Sequence, residues 1–235
     1  MTAVSPEAPS SNWFAAFYRS AIGKKATMAL TGIFLFGWVL AHMLGNMKLY
    51  FGPEHMNNYA SWLRTIGSPF VPDKVVLNIT RVLLLVAAWL HIQAATQLTL
   101  MNRRARPVGY KQRDYVEASY AARTMRWGGV IILLFVWYHL GHLTYGKFHP
   151  NFIPDDPYHN VVTGFQVWWV SAIYIVANLA LGLHLYHGLW SMFNSLGLNH
   201  PKFNSWRRIF GTVFALAITL GNISFPVFVL MGVVR

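Results

Sequence analysis

Met28 to Phe51 reads MALTGIFLFGWVLAHMLGNMKLYF, an apolar stretch with one imidazole, His42, set deep inside it. From Met28 to Met47 it holds twenty residues without Asp, Glu, Lys or Arg. About 20 residues of helix cross a hydrocarbon core of about 30 Å, so the stretch predicts a membrane-spanning helix. Inside it no water is available, and an unpartnered polar ring costs several kcal/mol. His42 therefore needs a partner, either a polar group on a neighbouring helix or the metal of a cofactor.

The chain around it has the same character. Of its 235 residues 55% are hydrophobic, 16% aromatic and only 11% charged, too apolar for a soluble domain of this size. A formal charge of +12 raises nucleic acid as a partner, but the Lys and Arg fall in short connections between apolar runs. That is the pattern of a membrane orientation signal, and no nucleic acid is expected. The absence of cysteine excludes disulfides, zinc thiolate sites and any iron–sulfur cluster held by this chain's own thiolates. Imidazoles remain as metal ligands.

The expected fold class is an all-α integral membrane protein, a five-transmembrane-helix bundle. Residues 1–24 read as a polar tail and a short interfacial helix, with aromatics and basic residues in WFAAFYRSAIGKK from Trp13 to Lys25. Residues 25–235 read as the membrane domain, with helices at about 25–50, 74–101, 125–147, 164–195 and 208–234. A weakly helical connection at 52–73 is expected to cap one face, and 148–163 to be a loop. The tail and the second and fourth connections hold thirteen Lys or Arg: Arg19, Lys24 and Lys25, then Arg103, Arg104, Arg106, Lys111, Arg113, Arg123 and Arg126, then Lys202, Arg207 and Arg208. The opposite ends hold five: Lys48, Arg64, Lys74, Lys147 and Arg235. The positive-inside rule then places the N-terminus in the cytoplasm and the C-terminus outside.

With that orientation the histidines sort by depth. Helices one and three travel outward, so His42 and His139 fall in an outer layer; helices two and four travel inward, so His91 and His184 fall in an inner one. Two imidazoles from facing helices at each of two depths are what two stacked bis-histidine haems require. A bare metal ion would instead draw its ligands to one depth. Gly37, Gly45, Gly128, Gly129, Gly141, Gly182 and Gly188 stand near these positions and would let a flat macrocycle approach the backbone, or serve ordinary helix packing. Arg81, inside helix two at the outer level, is a candidate partner for a haem propionate, or snorkels to the interface. His142 and His187 lie three residues beyond His139 and His184, and depth does not separate the members of each pair. His55, His149, His159 and His200 fall in connections and read as solvated surface.

GKKATMALTGIFLF and AHMLGNM, then ARPVGY, then FVWYHLGH, then GLHLYHGLWSMFNSLGLNHPK resemble, in order and spacing, the five-helix cytochrome b subunit of succinate dehydrogenases and fumarate reductases, of the bacterial b558-type branch. The resemblance runs from about Ser20 to Arg235. It implies a membrane anchor of respiratory complex II in the bacterial cytoplasmic membrane, with two haem b and a quinone, menaquinone or ubiquinone. Its partners would be a flavoprotein and an iron–sulfur subunit beside membrane lipid, with room for a higher oligomer of the complex. Succinate would be oxidised on the flavoprotein. His184, followed by Gly188, Leu189 and Trp190, matches the family's fourth-helix ligand, and His139, after Trp137 and Tyr138, its third-helix ligand. His42 and His91 match without a competitor, and the family pairs helix one with three and two with four.

His142 and His187 are left to hydrogen bonding beside the haems or a quinone. Some members use an acid near the outer haem in quinone chemistry; Glu54 is the candidate for it here, with a site on the cytoplasmic side as the alternative. Outside the resemblance, two other functions are a haem-free structural anchor and a proton-relaying transporter. A transporter would be expected to carry acids within its spans, and none of the five has an Asp or Glu.

Overall fold

The computed structural model describes residues 12–105, 120–198 and 200–235, with the side chains of all these except 120–123. The tail before Asn12, most of the ARPVGY motif, the basic residues Arg106, Lys111 and Arg113 and the side chain of Arg123 lie outside what is described. Five helices are long and apolar enough to cross a membrane: Ala21–Phe51, Val75–Arg104, Thr124–Thr144, Trp168–Ser195 and Pro201–Leu230. Among the described residues every element is helical, so the chain is an all-α five-helix membrane bundle.

A short helix α1 (Trp13–Arg19) leads into α2 (Ala21–Asn46) through Ser20. The Ser20 hydroxyl accepts from the Gly23 N–H at 3.0 Å and donates to the Phe17 carbonyl at 2.6 Å, closing one helix and opening the next. α2 thus begins four residues earlier than its apolar run indicates. Lys24 consequently lies inside it, 7% exposed, its ammonium donating to the Tyr18 carbonyl at 3.1 Å. A tight 3-10 turn (Met47–Phe51) follows, and Gly52, at φ 95, turns the chain into α3 (Pro53–Thr65), which opens on a proline. α4 is Val75–Arg104. α5 (Tyr120–His139) runs on into a π turn, Leu140–Thr144.

The expected loop over 148–163 is partly helical. α6 (Pro157–Gln166) is capped by Asp156, whose carboxylate accepts the His159 N–H at 3.0 Å, and extended Val167 separates it from α7 (Trp168–Ser195). The fourth span therefore starts at Trp168, not near 164. α8 (Asn204–Leu230) ends four residues short of the expected 234.

α7 is the hub. It packs against α5, α8, α2 and α6, while α4 packs on α2. Its buried positions Val170, Ser171, Tyr174, Ala177, Asn178, Gly182, Leu185 and Leu189 are separated by one, three or four residues, the spacing of a helix with one face in a core. Apolar surface gains little by facing a protein instead of lipid, so close approach carries the packing. A methyl group added at Gly182 would overlap the Thr219 hydroxyl of α8, and one at Gly45 would stand 2.7 Å from the Tyr59 ring of α3. At one end of the bundle α3 and α6 form a cap. Asn57 donates to Asp156 at 2.9 Å and accepts the Tyr158 N–H at 3.1 Å, and Arg64 meets Asp155 at 2.9 Å.

Candidate functional site

Four helices, α2, α4, α5 and α7, each carry one imidazole inward, and the structure brings the four rings together as two pairs. His42 of α2 faces His139 of α5 with ring centres 5.9 Å apart, and His91 of α4 faces His184 of α7 at 6.3 Å. Two imidazoles that bind one iron from opposite sides stand with ring centres about 6 Å apart, given metal–nitrogen bonds of about 2 Å and about 1.1 Å from each nitrogen to its ring centre. Both gaps already have this width.

The separation of the two levels can be read on three helices. Gly32 of α2 stands beside the His91 ring, a methyl there lying 3.5 Å from it, and His42 is ten residues further on. On α5 Gly129 stands beside the His184 ring, at 3.9 Å by the same measure, and His139 is again ten residues on. On α7 the Tyr174 hydroxyl touches His139, and His184 follows ten residues later. Each interval is about 15 Å of helix axis. The four rings thus form two layers, not one cluster. Among the described residues no three His, Cys, Asp or Glu side chains gather as a metal-ion site.

A hydrogen bond fixes which nitrogen His91 presents. His91 Nδ1 lies 3.1 Å from the Met28 carbonyl and 3.1 Å from the Thr31 hydroxyl. A carbonyl only accepts, so Nδ1 carries the proton and Nε2 is left as a lone pair. This is the usual arrangement of a metal-binding imidazole, its second nitrogen held by a backbone carbonyl. His139 Nδ1 lies 3.2 Å from the Tyr174 hydroxyl. His184 Nδ1 is buried, and the backbone of Met125 on α5, four residues before Gly129, hydrogen-bonds this ring as the Met28 carbonyl, four residues before Gly32, does His91. His42 stacks on Trp38 and stays open to the space around it, in the later half of a membrane span. Of the glycines expected to admit a macrocycle, Gly37 and Gly188 face open space, whereas the places of a side chain at Gly45, Gly141 and Gly182 are filled by Tyr59, Phe148 and Thr219. These features fit a pair of haems held by His42 with His139 and by His91 with His184.

His142 is elsewhere. It sits in the π turn, fully buried, with Nδ1 3.0 Å from the same Tyr174 hydroxyl and its ring stacked between Tyr138 at 5.5 Å and His149 at 4.9 Å. His149 is not the surface residue its position indicates. It is 6% exposed, donates from Nε2 to the Asn160 carbonyl at 2.8 Å and accepts the Asn151 N–H at 3.1 Å. His187 is half-buried one turn beyond His184. Arg81 is exposed and bonds Asn78 of its own helix at 3.1 Å. It stands ten residues before His91 and so at the level of the His42–His139 pair. Glu54 is exposed in the first turn of α3.

Sequence reading missed Tyr174 and Gly32. Each looks like an ordinary core residue of an apolar helix, and only the ten-residue offset from His184 and His42 marks it. Compared with family models, curated proteins and solved structures, the chain matches none.

Proposed function

We propose that the chain is a dihaem cytochrome b membrane subunit that passes electrons between an iron–sulfur protein and quinone, as in succinate:quinone oxidoreductase. The observation that carries the haem reading is the pair of facing imidazole couples, at 5.9 and 6.3 Å, on two levels of one bundle. The choice of succinate dehydrogenase or fumarate reductase rests on the resemblance of the sequence segments around those histidines. Bound haem iron would supply one-electron exchange between its ferric and ferrous states.

The chain's own residues would do the rest. His42, His91, His139 and His184 would hold iron through Nε2. Met28 and Thr31 orient His91, and Tyr174 orients His139. The apolar spans keep water from both levels. On the cytoplasmic side expected from the basic connections, exposed Lys25, Arg103, Arg104 and Arg126 are the surface offered to the iron–sulfur partner, with anionic lipid as the competing occupant. Lys24 does not belong to that surface, since its ammonium is spent inside on the Tyr18 carbonyl.

Purification of the chain from its native membrane tests the proposal. A reduced-minus-oxidised spectrum with a b-type α band, in a complex that also contains a flavoprotein and an iron–sulfur protein, is the expected result. A complex with those partners and no such band would leave the haem-free anchor. A haem-free chain without partners would favour the transporter.

A further inference from the structure

We propose that the Tyr174 hydroxyl is the positioning group of the outer ligand His139, fixing which nitrogen faces His42 and tying that ligand to the buried His142. The inference rests on the haem reading of the His42–His139 pair.

Tyr174 is 5% exposed on α7, and Phe135 and Phe165 meet its ring edge-on, at 4.9 and 4.7 Å, so the hydroxyl has little freedom to swing. That hydroxyl lies 3.2 Å from His139 Nδ1 and 3.0 Å from His142 Nδ1. It has one proton, so it donates to one ring and accepts from the other. If Nε2 of His139 is to face His42 with a free lone pair, the His139 proton sits on Nδ1 and is donated to the Tyr174 oxygen. Tyr174 must then donate to His142 Nδ1, which puts the proton of neutral His142 on Nε2, the atom of that ring left without a partner. The chain of bonds can be reversed only by placing a proton on His139 Nε2, where iron would bind. Ligation at His139 and the direction of the Tyr174 hydroxyl are therefore one choice. Tyr174 holds the Nδ1 side of His139 as the Met28 carbonyl holds that of His91, but a carbonyl only accepts, whereas the hydroxyl takes its direction from His139 and His142 together.

A hydrogen bond from the second nitrogen makes an imidazole a stronger donor to iron, which favours the ferric state and lowers the reduction potential. Redox titration of the purified complex carrying Tyr174→Phe reads this directly, with the outer couple identified as the one lost in His42→Ala. The expected result is two haems per chain, an outer couple moved to higher potential and an inner couple unmoved. An unmoved outer couple, or equal movement of both, overturns the positioning role. If Tyr174→Phe does not assemble, His142→Leu serves instead: it removes the acceptor of the Tyr174 proton and weakens the chain cooperatively, giving a smaller rise of the outer couple alone. No rise in that variant also overturns the role. A wild-type complex without haem would overturn the haem reading itself, whereas unaltered couples in a two-haem Tyr174→Phe complex overturn only the inference drawn here.

Discussion

At the scale of single residues the fold separates histidines that the sequence leaves only three positions apart. His139 faces His42 and His184 faces His91, whereas His142 is packed away between Tyr138 and His149. His139→Ala and His184→Ala are each expected to lower haem content by one per chain, and His142→Ala and His187→Ala to retain both. Haem quantification by pyridine haemochrome checks this, and loss confined to the His142 or His187 variants would reverse the assignment. Lys24 makes a different prediction. Because its ammonium bonds the Tyr18 carbonyl and lies over the Tyr18 ring at 4.6 Å, Lys24→Glu should loosen α1 from α2, while Lys25→Glu should leave the fold intact and weaken only partner or lipid binding. Limited proteolysis near Ser20 distinguishes the two, and equal sensitivity would contradict the difference. That Lys24 is buried could not be read from KK at 24–25, since adjacent positions on a helix point in different directions and only the Ser20 corner decides which one turns inward.

At the scale of elements the spans were legible because each is a long run without acids, but their ends were not. Val167 breaks α6 from α7 inside an apolar text, GFQVWWV, that carries no proline or glycine at the break; the Asp156 cap and the links to Asn57 hold α6 apart. Asp156→Ala removes both bonds and is expected to cost about 1 kcal/mol, the usual loss of an N-cap, as a lower thermal midpoint. A midpoint unchanged within error would mean the cap is slack. The same carboxyl is held below its ordinary value, first by the His159 N–H and then by the Asn57 amide. Its stabilisation is complete above the ordinary value of 3.8 and is lost as pH falls through the lowered one, so at neutral pH the cap should be insensitive to acidification. Glycines divide the helices in a second way. Gly182→Ala should overpack the α7–α8 contact at a cost of about 1–3 kcal/mol. Gly188→Leu, one turn from His184 and facing open space, should spare the fold and lower haem content. Full haem in Gly188→Leu would show that the space belongs to lipid.

At the scale of the whole molecule the site is built twice. α2 with α4 and α5 with α7 are equivalent helix pairs: Gly32 and His42 are matched by Gly129 and His139, and each glycine lies against the inner histidine of its own pair. The two pairs then place their histidines against each other across the bundle, so that each ring couple joins one helix from each. Where the halves differ, at the outer level, one side has Tyr174 and the other the exposed Arg81. The pairing was anticipated from depth alone, because span direction alternates and the four histidines fall in the later half of their spans. What depth could not show was the width of the gaps, which depends on how closely α7 and α2 pack. Whether each gap binds one haem is read from haem content per chain in two double variants. Two haems are expected in the wild type, one in His42→Ala/His139→Ala and none in His42→Ala/His91→Ala. One haem retained in the second variant, or none in the first with the fold intact, would contradict one haem per gap.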